Sequence, residues 1–163
     1  SKLDWLNSQH LSNLSLKEFK QNLKPFLKNL NIDIEDHLNV DKLIESMRTS
    51  DNTLSGISAA LEPYYKEIKM YDEKAIEKFI KDKSRLFELR TLLNDIDNWN
   101  QETIENVLKD FQVKNGLSVP EVNQPIRISL VGSTKSPGLG LTLSIFDKNQ
   151  ALERIDNLIS HIG

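Results

Sequence analysis

Residues 125–132 read PIRISLVG, and whether they form a strand or a helix decides the fold class. Ile126, Ile128 and Leu130 alternate with Arg127, Ser129 and Val131, a period-two pattern rich in β-branched side chains. By itself that pattern describes a short strand. A lone strand has no partner to pair with, so a short buried helix competes with it. The chain then runs on as GSTKSPGLGLTLSIF, residues 132–146, which sets glycines, a proline and hydroxyls into a sequence otherwise charged and helical.

Outward from this stretch the apolar spacing is that of helices. Ser15-Leu16-Lys17-Glu18 has the form of a capping box. Behind it Leu16, Phe19, Leu23, Leu27 and Leu30 predict a helix to about Asn31, kinked or shortened at Pro25. A second helix is expected over Val40–Arg48. A third starts near Thr53 and uses Leu54, Ile57, Leu61, Tyr64 and Ile68. Ile76, Phe79, Ile80, Leu86, Leu89 and Leu93 form one stripe, which predicts a single long helix over 72–95. Asn100 reads as the next N-cap, with Ile104, Val107, Leu108 and Phe111 inward and Gly116 as the stop. A final amphipathic helix carries Leu152, Ile155, Leu158, Ile159 and Ile162. The least helical gap is NGLSVPEVNQP, residues 115–125.

Composition narrows the function. With 163 residues the chain can bury a core without staples, and the absence of cysteine removes disulfides, thiolate zinc sites and a cysteine nucleophile. No stretch reads as a signal peptide or a membrane span, so a soluble, cytoplasmic protein is expected. The net charge of −3 argues against indiscriminate nucleic-acid binding, but not against reading a few bases through local contacts. His10, His37 and His161 are scattered and read as surface or packing residues. Asp33, Glu35, Asp36 and Asp41 lack the glycine and spacing of a calcium loop. In GSTKSPG, residues 132–138, Lys135 precedes the second glycine, so the phosphate-loop pattern is not met. No catalytic residue, metal ligand or cofactor site is expected within the chain.

Residues 124–162 resemble the C-terminal end of bacterial glutamyl-tRNA synthetases, class I aminoacyl-tRNA synthetases. Pro125, Arg127 and Gly132 hold the first part of that motif, Ser136-Pro137-Gly138-Leu139 its turn, and Lys148, Arg154 and Ile155 its last part. KLDWLN, residues 2–7, is similar to the segment that follows the family's catalytic domain, and MRTSDNTL, residues 47–54, to its M-R-x-R-x-x-T-L. The resemblance implies an all-α fold, a helical bundle or α-helix cage of two packed subdomains, residues 1–70 on the stem-contact and third-base side and residues 71–163 as the C-terminal anticodon-binding part. It thus favours helix over strand at 125–131. It also implies a module that recognises the anticodon of tRNA(Glu) for ATP- and Mg-dependent glutamylation. The family's H-x-G-H and K-M-S-K-S motifs do not occur here, so this fragment would be non-catalytic; the resemblance also implies a monomer, since the family is usually monomeric.

On the resemblance, Arg127, Ser136, Pro137 and Leu139 match positions that touch anticodon bases. A guanidinium can stack on or donate to an extruded base, Pro137 and Leu139 offer apolar surface, and Ser136 is expected to N-cap the helix that follows. Without the family, Arg127 would read as half of an ion pair with Asp156 or Glu153. The second arginine of M-R-x-R reads the third anticodon base, C for glutamate and G for glutamine. Here Ser50 fills that slot while Arg48 is kept. One hydroxyl cannot replace a guanidinium fork, so third-base selectivity is expected to be relaxed toward tRNA(Gln) or handled by Arg48. Lys135 is a candidate phosphate contact, and Trp5 and Asn7 candidate tRNA or junction contacts. The competing reading is a helical protein-interaction domain, sustained by the acidic charge and the lack of a basic patch.

Overall fold

The computed structural model describes residues 11–35, 37–51 and 53–163. Among them the fold is all-α, with nine helices and no strand. The chain divides into two compact units, one ending at Lys66 and the other running Glu67–Gly163.

The first unit holds α1 (Leu16–Asn29), α2 (Leu38–Arg48) and α3 (Leu54–Tyr65). Its capping box forms as the sequence implies: Glu18 N donates to Ser15 Oγ, and Ser15 N to Glu18 Oε1. The α1 helix passes through Pro25 and stops at Asn29, where Asn31 takes φ 56° and Ile32 N donates back to Leu27 O at 2.9 Å. Phe19, Leu23, Leu27, Leu43, Ile44, Ile57 and Leu61 make the core. The third helix ends at Tyr65, before Ile68, because Lys66 turns extended; Ile68 belongs to the second unit.

The second unit contains α4 (Glu73–Phe79), α5 (Lys83–Asn94), α6 (Gln101–Lys114), α7 (Val119–Val131), α8 (Leu139–Ile145) and α9 (Lys148–Ile162). The expected single helix over 72–95 is two. Ile80 leaves helical geometry, and the Asp82 carboxylate accepts the Ser84 amide to start α5 afresh. The N-cap at Asn100 is present. Ile104 and Leu108 are buried, whereas Val107 and Phe111 are half-buried.

The deciding stretch is helical, and the strand pattern misleads for a physical reason. The α7 helix packs against α4, α5, α6, α8 and α9, so it is wrapped on most sides. Ile126, Ile128, Ser129, Leu130 and Val131 are all buried, which leaves Arg127 alone over 126–131 to mark a helical period. The buried Ser129 hydroxyl donates to Pro125 O at 2.8 Å. Truncating Leu130 in this hub should cost about 2–5 kcal/mol. The supposed gap at 115–125 supplies the helix start: Ser118 and Glu121 form a second capping box, and Pro120 fits the first turn, where its missing N–H is harmless. Gly132 ends the helix at φ 81°, where its carbonyl accepts the Asp72 amide at 2.8 Å.

Candidate nucleic-acid interface

Gly132 reverses the chain, and residues 133–138 return along α7 toward Arg127. There the Arg127 Nε donates to Ser136 Oγ at 2.7 Å, Nη1 to Gln124 Oε1 at 3.0 Å and Nη2 to Pro137 O at 3.4 Å. Ser136 Oγ itself donates to Pro137 O at 2.9 Å. From α8, the buried Thr142 hydroxyl donates to Pro137 O at 3.4 Å and lies 3.5 Å from Ser136 Oγ. One half-buried guanidinium is therefore held by Gln124 of α7 and by Ser136 and Pro137 O of the turn, and Thr142 of α8 braces the turn from behind. Asp156, the suggested ion-pair partner, instead binds Arg90, whose Nη2 donates to Asp156 Oδ2 at 3.0 Å and whose guanidinium pKa that bond raises.

Three of the four tail residues thus meet: Arg127, Ser136 and Pro137. Ser136 does not cap the next helix, however. Gly138 is the residue ahead of α8 and, lacking a side chain, gives it no cap, while the Ser136 hydroxyl two residues earlier is turned onto Arg127 and Pro137 O. Leu139 is buried in the core at 4% exposure. Lys135 is exposed at the tip of the turn, its amide donating to Ser133 Oγ. Trp5 and Asn7 lie outside the described residues.

Sequence reasoning missed Gln124 and Thr142. Gln124 stands three residues before Arg127, on the same face of a helix but on opposite faces of a strand, so the period-two pattern hides it. Two basic residues of the tail motif turn out to be structural. Lys148 Nζ donates to Asn94 O at 2.7 Å and Ile96 O at 2.8 Å, which satisfies the carbonyl end of α5. Arg154 donates to Leu130 O at 2.6 Å near the end of α7 and stacks 4.6 Å from the Phe146 ring; burial pulls its guanidinium pKa below the usual value.

In the first unit Arg48 is clamped. Its Nη1 donates to Glu45 Oε1 at 2.7 Å, and its Nη2 to Leu14 O at 2.9 Å and Leu11 O at 3.0 Å. Its guanidinium also lies 4.3 Å from the centre of the Phe19 ring. Ser50 is exposed just beyond α2, its hydroxyl donating to Met47 O at 3.2 Å. Asp51 follows, its Oδ1 accepting the Thr53 amide and hydroxyl, both at 2.8 Å, ahead of α3. Among the described residues no group of three or more His, Asp or Glu could hold a metal ion, and no helix is long and apolar enough to cross a membrane.

Residues 18–159 match the family described as the anticodon binding domain. The chain belongs to that family. As an anticodon-binding-domain chain it is 32% identical to a glutamate–tRNA ligase of Myxococcus xanthus over 158 residues, covering 95% of this chain and 33% of that protein. It is likewise 32% identical to glutamate–tRNA ligase 1 of Campylobacter hominis, covering 99% of this chain and 34% of that protein. In fold it is similar to a crystal structure of a glutamate tRNA ligase from Elizabethkingia meningosepticum, with a TM-score of 0.86 at 24% identity over 98% of this chain and 32% of that one. The chain thus spans about a third of the length of the relatives it matches. That third is the anticodon-binding part, in keeping with a non-catalytic segment.

Proposed function

We propose that this chain is the tRNA-holding part of a glutamate–tRNA ligase. It binds the anticodon loop of tRNA(Glu) so that a catalytic domain, using ATP and Mg, can glutamylate the far end. The two subdomains are the units divided between Lys66 and Glu67, four residues before the expected boundary, and the protein works in the cytoplasm as a monomer. Bases are taken at the turn of the second unit by Arg127, Ser136 and Pro137, with Lys135 on the adjoining phosphate. Leu139 acts from beneath, by holding the turn in place, and Trp5 and Asn7 contact tRNA or the junction with the catalytic domain.

The observation that carries this reading is the Arg127 clamp. Gln124, Ser136 and Pro137 O fix the guanidinium on the side of α7 that the turn faces, and a half-buried planar cation held still is a stacking and donating surface for single-stranded bases. It needs no bulk positive charge, which suits a chain of net charge −3. Ser50 supplies no fork at the third-base slot, and the Arg48 Nη groups bond Glu45, Leu11 O and Leu14 O. Third-base selectivity is therefore relaxed, and tRNA(Gln) is a second partner. The test is binding of tRNA(Glu), tRNA(Gln) and an unrelated tRNA transcript across a salt series. The unrelated tRNA should be weakest, and affinity should fall with salt. Equal binding of all three would overturn the reading. A tRNA(Gln) affinity about a hundredfold below that of tRNA(Glu) would overturn its relaxed third base.

A further inference from the structure

A depression of about 490 Å³ opens at the surface of the second unit, lined by Phe87, Glu88, Thr91, Leu92 and Asp95 of α5 and by Phe111 of α6. The five α5 residues recur at helical spacing and share one face, opposite the buried Leu86, Leu89 and Leu93. A surface helix ordinarily carries polar side chains there. Instead Phe87 is 53% exposed, with Leu92 and the Phe111 ring half-buried beside it. Both ionisable groups in the lining are carboxylates. Glu88 is half exposed and reaches Arg85 at 3.9 Å, while the Arg85 guanidinium stands 6.0 Å from the centre of the Phe111 ring. Asp95 is exposed at the carbonyl end of α5, where the helix dipole favours a cation over a carboxylate. Lys148 Nζ, close by, is engaged by the carbonyls of Asn94 and Ile96.

We propose that this apolar, acid-rimmed shelf docks a basic amphipathic helix of a partner protein. Apolar side chains at i, i+3 and i+7 of that helix would sit on Phe87, Leu92 and Phe111, and its Lys or Arg residues would meet Glu88 and Asp95. The inference goes beyond the tRNA reading and does not rest on it. Charge chooses the occupant. The two carboxylates repel a phosphate backbone, so RNA does not fit. A second copy of the chain, docked about a two-fold axis, would bring the patch against itself and set Glu88 and Asp95 against like charges. A helix with cationic flanks answers both the apolar floor and the acidic rim. The position agrees. Glu105 of α6 lies where a side chain on Gly140 of α8 would go, just past the Arg127 turn. Phe111, six residues further along α6, stands about 120° away around that helix, so a partner on the shelf need not cover the turn.

The probe is a synthetic leucine–lysine peptide of about four helical turns, with a leucine–glutamate counterpart as control. Each is titrated into the chain while backbone amides are followed by NMR. The basic peptide should shift the Phe87, Thr91, Asp95 and Phe111 signals and bind about tenfold more tightly than the acidic one, with the gap narrowing as salt rises. Phe87→Ser should weaken the basic peptide by about tenfold. Glu88→Lys with Asp95→Lys should reverse the preference between the two peptides. Both variants should melt close to the parent chain, because these side chains are exposed. Equal binding of the two peptides, shifts confined to other faces, or a preference that survives the double charge reversal would each overturn the inference. So would a tRNA transcript that shifts the same signals, which would make the shelf an RNA surface. A dimer in sedimentation that Phe87→Ser dissolves would overturn it too, by making the shelf a contact between copies.

Discussion

Arg127 Nε donates to Ser136 Oγ at 2.7 Å across the turn that joins α7 to α8, which makes a serine hydroxyl the positioning group of an arginine. Arg127→Ala should weaken tRNA(Glu) binding by about tenfold or more, the scale of one lost base stack, with little change in melting temperature. Ser136→Ala should cost less, because Gln124 and Pro137 O still hold the guanidinium. Filter binding with parallel thermal melts would show this. An Arg127→Ala chain that binds normally removes the clamp from the interface.

Lys148 belongs to the tail motif yet serves the fold. Lys148→Met keeps the aliphatic stem and deletes the bonds to Asn94 O and Ile96 O, so it should lower stability by about 1–2 kcal/mol in urea melts. Transcript affinity should stay unchanged. Weakened binding at full stability would instead make this lysine a phosphate contact.

Ser50→Arg restores a fork beside the third-base slot. It should raise the preference for tRNA(Glu) over tRNA(Gln) by about tenfold in competition binding. An unchanged ratio would mean that this loop does not meet the third base.

Gly132 sits at φ 81°, and a Cβ there would come within 2.9 Å of Ile68 Cγ2 and 3.2 Å of Met70 O. Gly132→Ala should therefore destabilise by roughly 1–3 kcal/mol on chemical denaturation. It should also blur the Arg127 clamp, because the turn that returns Ser136 begins there.

The start of α7 gives a pH dependence. The Glu121 carboxyl is held below its usual value near 4.5, first by the Ser118 amide and then by the Ser118 hydroxyl. A lowered folded pKa means that the stabilisation is complete above the unfolded value and is lost as pH falls through the folded one. Glu121→Gln should therefore melt lower than the parent chain at neutral pH. The difference should shrink between about pH 5 and pH 3. A constant difference over that range would rule out this linkage.

The sequence made the amphipathic helices legible because each has a wet side: α1, α6 and α9 show their caps and stripes openly. It hid α7 for the opposite reason, since a hub helix packed against five others keeps only a narrow polar side, with Gln124 and Arg127, to give its period. The stripe across 72–95 ran through a real break, because Ile76, Ile80 and Leu86 are buried on either side of it and only Asp82 marks the restart. At the candidate site Arg127, Ser136 and Pro137 were readable from the tail motif. Gln124 needed the helix to be known, and Thr142 needed the fold of α8 over the turn. That Lys148 and Arg154 act as caps could not be read at all, since their carbonyl partners lie 54, 52 and 24 residues away.

Because α9 carries both of those caps, the second unit is fastened by its last helix. Without residues 148–162 the carbonyls of Asn94, Ile96 and Leu130 would lose the side chains that bond them. A chain broken off before that point would thus carry the Arg127 turn on a loosened support. Faulty products of synthesis would compete poorly for RNA with intact ones.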